Sequence, residues 1–381
     1  MGTSKRRKKK GTGKKVRVAF RQNRSKPARS KDWTEHAHPE DSHETDTAQS
    51  EGVRAKGALS RRRTIIVHDD DEDTWRDLKR GVVVAMRGLY AEVDDGQDVW
   101  PCTVRRILRT RLIDERQPVT VGDRVGFRPG QTADESVREG VIERVAPRTG
   151  QLRRKAGRRI QTIVANVDQA LIVSSAAEPT PKPNLIDRYI VAACAGGITP
   201  IVCMNKVDLD VDGAAGSLLA RYAGLGYAAL ATSAEQLVGI ETLKDTLHEQ
   251  ATVIVGQSGV GKSSLLNAVE PGLKLRIGMV GTQTQKGRHT TTTAELLRLK
   301  GGGYVVDTPG IRSFDLTVIP RHQFEAYFAE FVDCVADCSF PDCTHTHETG
   351  CALKQAVEDG RIHPDRYRSY VQMFEDPGVI E

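Results

Sequence analysis

Residues 252–266 read as a short apolar run, Thr252–Val255, that feeds straight into Gly256-Gln257-Ser258-Gly259-Val260-Gly261-Lys262-Ser263 and on into Ser264-Leu265-Leu266. A strand, a glycine loop and a helix start in that order form a phosphate cradle, because the glycines let backbone N–H groups turn inward and the helix N-terminus adds its dipole. Such a loop needs a parallel sheet behind it. Asn205-Lys206-Val207-Asp208 lies ahead of the loop, and Asp307-Thr308-Pro309-Gly310 lies after it. In most guanine-nucleotide folds the phosphate loop leads and the Asn-Lys-x-Asp segment trails. All the parts are present here in rotated order, which predicts a circularly permuted GTPase.

Each segment has a chemical reason. The Asp208 carboxylate can accept from N1–H and the 2-amino group of guanine, donors that adenine lacks, so the wrong base leaves it unpaired. The Lys206 stem can cover the base, and Asn205 can tie this loop to the phosphate strand. Thr232-Ser233-Ala234, after a strand of its own, suits a short backbone contact to guanine O6, with Ser233 and Ala234 at the base. Lys262 is expected to bridge the β- and γ-phosphates, with Ser263 on Mg²⁺ and Ser264 beside it. Asp307 would hold Mg²⁺ through water, and the Gly310 N–H would sense the γ-phosphate. The run Lys286–Thr293 reads as a switch loop in which Thr291 completes the Mg²⁺ shell. Position 311 is Ile, where many such enzymes carry a water-orienting glutamine. His289 is therefore the expected positioner, and unaided turnover is expected to be slow, about 10⁻⁴ to 10⁻² s⁻¹.

The flanks differ in character. Residues 1–30 hold thirteen Lys or Arg and no acid, so the rest of the chain is net acidic beneath an overall +6. Residues 1–75 read as a basic disordered tail and linker with an affinity for phosphate backbone. Residues 76–160 carry five short β-rich runs separated by turn signals, expected to close into an OB-fold RNA-binding barrel. Residues 161–318 alternate apolar strands with helices, the pattern of a parallel α/β GTPase domain. Residues 319–381 read as a small helical domain, with Phe324, Tyr327, Phe328 and Phe331 on one helical face. There Cys338, Cys343, His345 and Cys351 supply three thiolates and one imidazole, a set suited to a closed, structural Zn²⁺. No apolar stretch approaches the ~20 residues of a membrane span. A soluble, cytoplasmic monomer that does not meet membranes is expected.

The chain resembles the small-ribosomal-subunit biogenesis GTPases called RsgA or YjeQ. In the barrel the likeness rests on Cys102-Thr103-Val104-Arg105, Val121-Gly122-Asp123-Arg124-Val125 and Glu139-Gly140-Val141-Ile142-Glu143. Beyond it, the likeness rests on Ala165-Asn166-Val167-Asp168, Leu185-Ile186-Asp187-Arg188-Tyr189, the permuted motifs, Gly287-Arg288-His289-Thr290-Thr291-Thr292 and the Cys/His run. It departs in its long tail and in Arg106, where a glycine is common. The resemblance implies GTP hydrolysis to GDP and phosphate, stimulated by the small (30S) subunit and its rRNA late in subunit maturation. It also implies a catalytic role for His289 and one structural zinc. Two other readings stay open: an RNA-binding assembly protein that uses GTP as a structural ligand, and a permuted GTPase of the large subunit.

Overall fold

The computed structural model describes residues 75–105, 108, 118–130, 138–156, 159–273, 294–307, 316 and 319–376, with two strands nearer the N-terminus. Those two strands, β1 (Lys14–Ala19) and β2 (Arg62–Val67), pair antiparallel as a ribbon. The expected disorder of the tail therefore does not extend to these twelve residues, whose β-branched content (Val16, Val18, Ile65, Ile66, Val67) favours extended backbone.

Five strands make the barrel: β3 (Lys79–Arg87), β4 (Tyr90–Asp94), β5 (Val99–Val104), β6 (Arg124–Pro129) and β7 (Gly140–Val145). Their order is β3-β4-β5-β7-β6, closed by a β3–β6 pairing, with β5 and β7 parallel. This is the OB arrangement expected from the turn spacing. Irregularities at Val83/Ala85 and Gly126/Phe127 bend the strands around a core of Val83, Val93, Cys102, Phe127 and Ile142.

A hairpin follows, β8 (Gln151–Ala156) and β9 (Arg159–Ala165), running across residue 160. The α/β sheet then uses β10 (Gln169–Ser175), β11 (Thr199–Asn205), β12 (Ala228–Ala231), β13 (Ala251–Val255), β14 (Glu295–Arg298) and β15 (Tyr304–Asp307), in the order β12-β11-β10-β13-β15-β14. Only β14 is antiparallel. The helices are α1 (Pro183–Ala195), α2 (Ala214–Gly224), α3 (Ile240–Leu247) and α4 (Lys262–Val269). Alternation along the strands decides which face each helix covers. Ala170, Ile172, Val202 and Met204 pack with Ile186, Ile190 and Tyr222 of α1 and α2. Leu171, Val173, Ile201 and Cys203 pack with Leu243, Leu247, Leu265 and Leu266 of α3 and α4. Both faces are dry, as parallel strands require.

The C-terminal segment is not the regular helix the aromatic spacing predicts. Residues 321–331 form three successive 3-10 turns, interrupted at Phe328, whose backbone is extended. Phe324, Phe328 and Phe331 are nevertheless fully buried, with Phe328 stacked on Phe331 at 4.6 Å and Tyr370 edge-on to both. The short α5 (Val332–Val335), α6 (Ala352–Glu358) and α7 (Pro364–Phe374) complete this core, which takes in Val191 of α1. Among the described residues no helix is long and apolar enough to cross a membrane.

Candidate functional site

Because β10, β11, β12, β13 and β15 are mutually parallel, their C-terminal ends fall on one edge of the sheet. Ligands of open α/β sheets bind at that edge. It brings together Asn205–Asp208 after β11, Thr232–Ala234 after β12, the glycine loop after β13 and the backbone of Asp307 at the end of β15.

The glycine loop is a requirement of packing as well as of binding. Gly256 has φ +145°, and a Cβ there would meet the Val173 carbonyl oxygen at 2.1 Å; at Gly261 (φ +92°) it would meet Asn205 Nδ2 at 2.4 Å. Any side chain at either position pushes the loop off the sheet. Ser258, Gly259, Ser263 and Ser264 are exposed, Gln257 and Lys262 half-buried and Val260 buried. Lys262 Nζ donates to the carbonyls of Gly256 and Gln257 at 2.9 and 2.8 Å, and burial lowers its pKa. A partly desolvated ammonium held by neutral carbonyls readily transfers to a phosphate, where the full charge is answered.

Asn205 joins the loops. It is 1% exposed; its Nδ2 donates to the Val260 carbonyl at 2.9 Å, and its Oδ1 accepts from Thr232 Oγ1 and the Ala234 N–H, both at 3.3 Å. One carboxamide thus spans the phosphate loop and the loop after β12. Lys206 adopts the left-handed conformation (φ +61°) and reaches the Glu178 carbonyl at 2.5 Å. The following turn leaves Asp208 half-buried at the rim. Ser233 is fully buried and its Oγ accepts from the Gln236 N–H at 3.0 Å.

A second cluster lies in the C-terminal segment. The ligand atoms of Cys338, Cys343, His345 and Cys351 are all within 4.8 Å of one another. His345 Nδ1 faces the sulfurs of Cys338 and Cys351 at 3.5 and 3.4 Å, while Nε2 meets Glu325 Oε2 at 2.9 Å. A carboxylate on the outer nitrogen fixes the tautomer that presents Nδ1 to a metal. Tyr367 and Tyr370 donate to the carbonyls of His345 and Thr344 at 2.7 and 3.0 Å, holding the turn against the core. Burial, with the neighbouring thiols, pushes Cys343 up to about 12, a shift that a bound cation would reverse. The donor set fits a four-coordinate thiolate–imidazole metal centre.

The sequence profile of RsgA GTPases matches residues 145–317. The small ribosomal subunit biogenesis GTPase RsgA of Azotobacter vinelandii is 43% identical over 298 residues, which cover 77% of this chain and 84% of that protein. A protein of the same name from Pseudomonas fluorescens is 40% identical over 325 residues, 84% of this chain and 92% of its own. The chain belongs to the RsgA GTPase family. The crystal structure of YjeQ from Thermotoga maritima is 37% identical and superimposes with a TM-score of 0.63, covering 78% of this chain and 97% of that one. YloQ, described as a circularly permuted GTPase, is 30% identical with a TM-score of 0.60, over 79% and 95% of the two chains. As an RsgA-family member the chain is a P-loop GTPase, and its strand order carries the permutation physically.

Of the residues singled out from the sequence, His289, Thr291 and Gly310 lie outside the described residues, and Asp307 is described in its backbone alone. Thr232, which the sequence groups with Ser233 and Ala234, turns out to bond Asn205; sequence reasoning missed Glu325 and the Glu178 carbonyl. Glu325 gave no signal, because it sits thirteen residues ahead of Cys338, the first of the four, in a stretch that reads as helix. In this RsgA-family chain the motif residue Asp187 is also no ligand group. It is fully buried and accepts from Arg366 Nη1 at 2.5 Å and from the Tyr222 hydroxyl at 2.8 Å, while Arg366 also grips Glu330 at 2.6 Å.

Proposed function

We propose that this chain hydrolyses GTP to GDP and phosphate while bound to the small ribosomal subunit, and that subunit binding stimulates the reaction during late maturation. The observation that carries the nucleotide part is the Asn205 carboxamide, which holds a guanine-type loop and a phosphate loop in one fixed relation. The subunit part rests on the named function of relatives that match over most of their length.

In this reading Asp208 accepts from the guanine edge, Lys206 covers the base, and Ser233 and Ala234 approach O6. The backbone of Gly256–Gly261, with Gln257 and Ser258, wraps the β-phosphate against the start of α4, where Ser264 follows. Lys262 leaves the carbonyls of Gly256 and Gln257 for the β- and γ-phosphates. Ser263, Thr291 and Asp307 would hold Mg²⁺, which neutralises charge building on the transferred group. The Gly310 N–H reads the γ-phosphate, and His289 positions the attacking water. Cys338, Cys343, His345 and Cys351 hold Zn²⁺ in a structural role, with Glu325 behind His345. We assign residues 76–160 to the RNA-binding barrel, 161–318 to the GTPase domain and 319–381 to the zinc domain, after the basic segment 1–75.

Multiple-turnover GTP hydrolysis with and without purified small subunits tests the reading. A rate increase of several-fold or more is expected, together with near-normal GTP binding but little response in His289→Ala. A rate unmoved by subunits that nonetheless co-sediment with the protein would instead favour GTP as a structural ligand. Co-sedimentation with large subunits alone would redirect the assignment.

A further inference from the structure

The barrel side that faces the GTPase sheet holds a cleft of about 600 Å³, lined by Trp75, Arg80, Val82, Arg124 and Tyr304 and closed at one end by the turn Asp94–Gly96. The volume lies within the range of small-ligand sites. Strand register explains the lining. Arg80 stands opposite Gly126, and Val82 opposite Arg124, so the two arginines are diagonal neighbours on one face of the β3–β6 pair. Gly126 leaves room for Trp75: a Cβ there would lie 3.0–3.1 Å from its ring carbons. Trp75 is half-buried, Arg80 and Arg124 are exposed, and neither arginine forms an ion pair among the described residues. The carboxylates nearby are already committed. Asp94 accepts from the Gly96 N–H at 2.8 Å and from the Tyr304 hydroxyl at 3.1 Å, and Asp95 holds Lys79 and the Trp100 indole N–H. What remains, among the described residues, is an aromatic floor beside two guanidinium groups without a carboxylate partner.

We propose that this cleft takes one unstacked nucleotide of single-stranded RNA, its base on Trp75 and its phosphate between Arg80 and Arg124. A flat ring with adjacent cations accepts any base, the sequence-tolerant mode of single-strand binding. The cleft lies along β3 and β6, away from the β4–β5 face that such barrels commonly offer to nucleic acid. It is shared with Tyr304 of the GTPase sheet, so an RNA strand seated there bridges the two bodies. The inference rests on the reading that this chain acts on ribosomal RNA.

The test uses the full chain loaded with GDP and Mg²⁺, so that the phosphate loop is filled, and a 5′-labelled uridine pentanucleotide followed by anisotropy. Trp75→Ala is expected to weaken binding about tenfold or more. Arg80→Ser/Arg124→Ser, which removes both cations from the one phosphate, should reduce the slope of log affinity against log salt by about 0.7. Arg128→Ser, on a guanidinium paired with Glu143, should change the slope less. GDP affinity should be unchanged in all three. Photocrosslinking of a 5-iodouridine pentanucleotide to the unaltered chain keeps the test alive should a variant fail to fold; adducts on Trp75 or Tyr304 are expected. Adducts elsewhere, or variants that bind with unchanged affinity and slope, overturn the cleft while leaving the ribosomal reading intact. Displacement of the pentanucleotide by an equal concentration of uridine monophosphate overturns RNA as the occupant. If neither the pentanucleotide nor small subunits bind the unaltered chain, the ribosomal reading fails first.

Discussion

Asn205 shows how much a single buried carboxamide can organise, since its partners lie 27, 29 and 55 residues further along the chain. Asp208, three residues on, is the group we propose to select guanine, and its value depends on which donors face it. Asp208→Asn is expected to lose a charge-assisted pair of about 1.5–3 kcal/mol, so competition binding should show guanine preference over adenine falling by roughly 10- to 100-fold. Asp95 in the barrel offers a pH test. Burial alone would raise its carboxyl. Lys79, the amides of Asp98 and Gln97, and the Trp100 indole outweigh that and hold it well below the usual carboxylate range. A depressed folded-state pKa contributes stability above the ordinary value of about 4, and that contribution is lost as pH falls below it. Asp95→Asn should therefore melt well below the parent at pH 7, and the gap should narrow as the pH is taken to 3. At this scale the sequence is most readable where chemistry dictates residue type, as at Asn205, whose expected tie to the phosphate loop is present, and at the four clustered metal-type ligands. It is least readable where a residue works through another, as Glu325 does through His345.

The β14–β15 hairpin is one of the elements that join barrel to sheet. Glu295 pairs with Ala85 of β3 and accepts from Arg87 at 2.6 Å; Arg298 reaches the Gly96 carbonyl at 2.7 Å; Tyr304 donates to Asp94. Burial first, then Asp94, pushes the Tyr304 phenol up to about 12, so it stays a donor at neutral pH. Tyr304→Phe strands one oxygen of the 6%-exposed Asp94 and is expected to cost about 1–3 kcal/mol, read as a lower midpoint in chemical denaturation. Sequence patterning does not deliver this strand. Ala294-Glu295-Leu296-Leu297-Arg298-Leu299 fits neither a strict two-residue nor a helical period, and Leu297 is only half-buried. The β8–β9 hairpin is hidden for a different reason: Arg153, Arg154, Lys155, Arg158 and Arg159 swamp the alternation. The inner strands β10, β11 and β13, by contrast, are continuous apolar runs with both faces covered, and the expected run Thr252–Val255 falls within one residue of the observed β13.

Across the whole molecule, the C-terminal segment is fastened to the sheet by charge as well as by aromatic packing. Arg366 is 1% exposed between Asp187 of α1 and Glu330, with its guanidinium 4.6 Å from the Phe328 ring. Arg366→Met leaves Asp187 buried without its partner and is expected to cost about 3–5 kcal/mol. Restoring an uncharged match with Asp187→Leu in the same chain should recover part of that loss, as a double-mutant thermal-melt cycle would show. Stripping metal with a chelator should loosen residues 338–351 first, seen as faster amide exchange there, while GDP affinity is retained. The rotated strand order has one more consequence, for synthesis. On the ribosome the chain emerges barrel first, then β10 to β12, each parallel strand laid beside the last. The central strand β13 arrives only afterwards, on the other flank of β10, and β14 must then reach back more than two hundred residues to touch β3. The β14–β3 seam between nascent barrel and nascent sheet therefore cannot form until residue 298 has left the exit tunnel, and it is among the last joints the newborn protein can close.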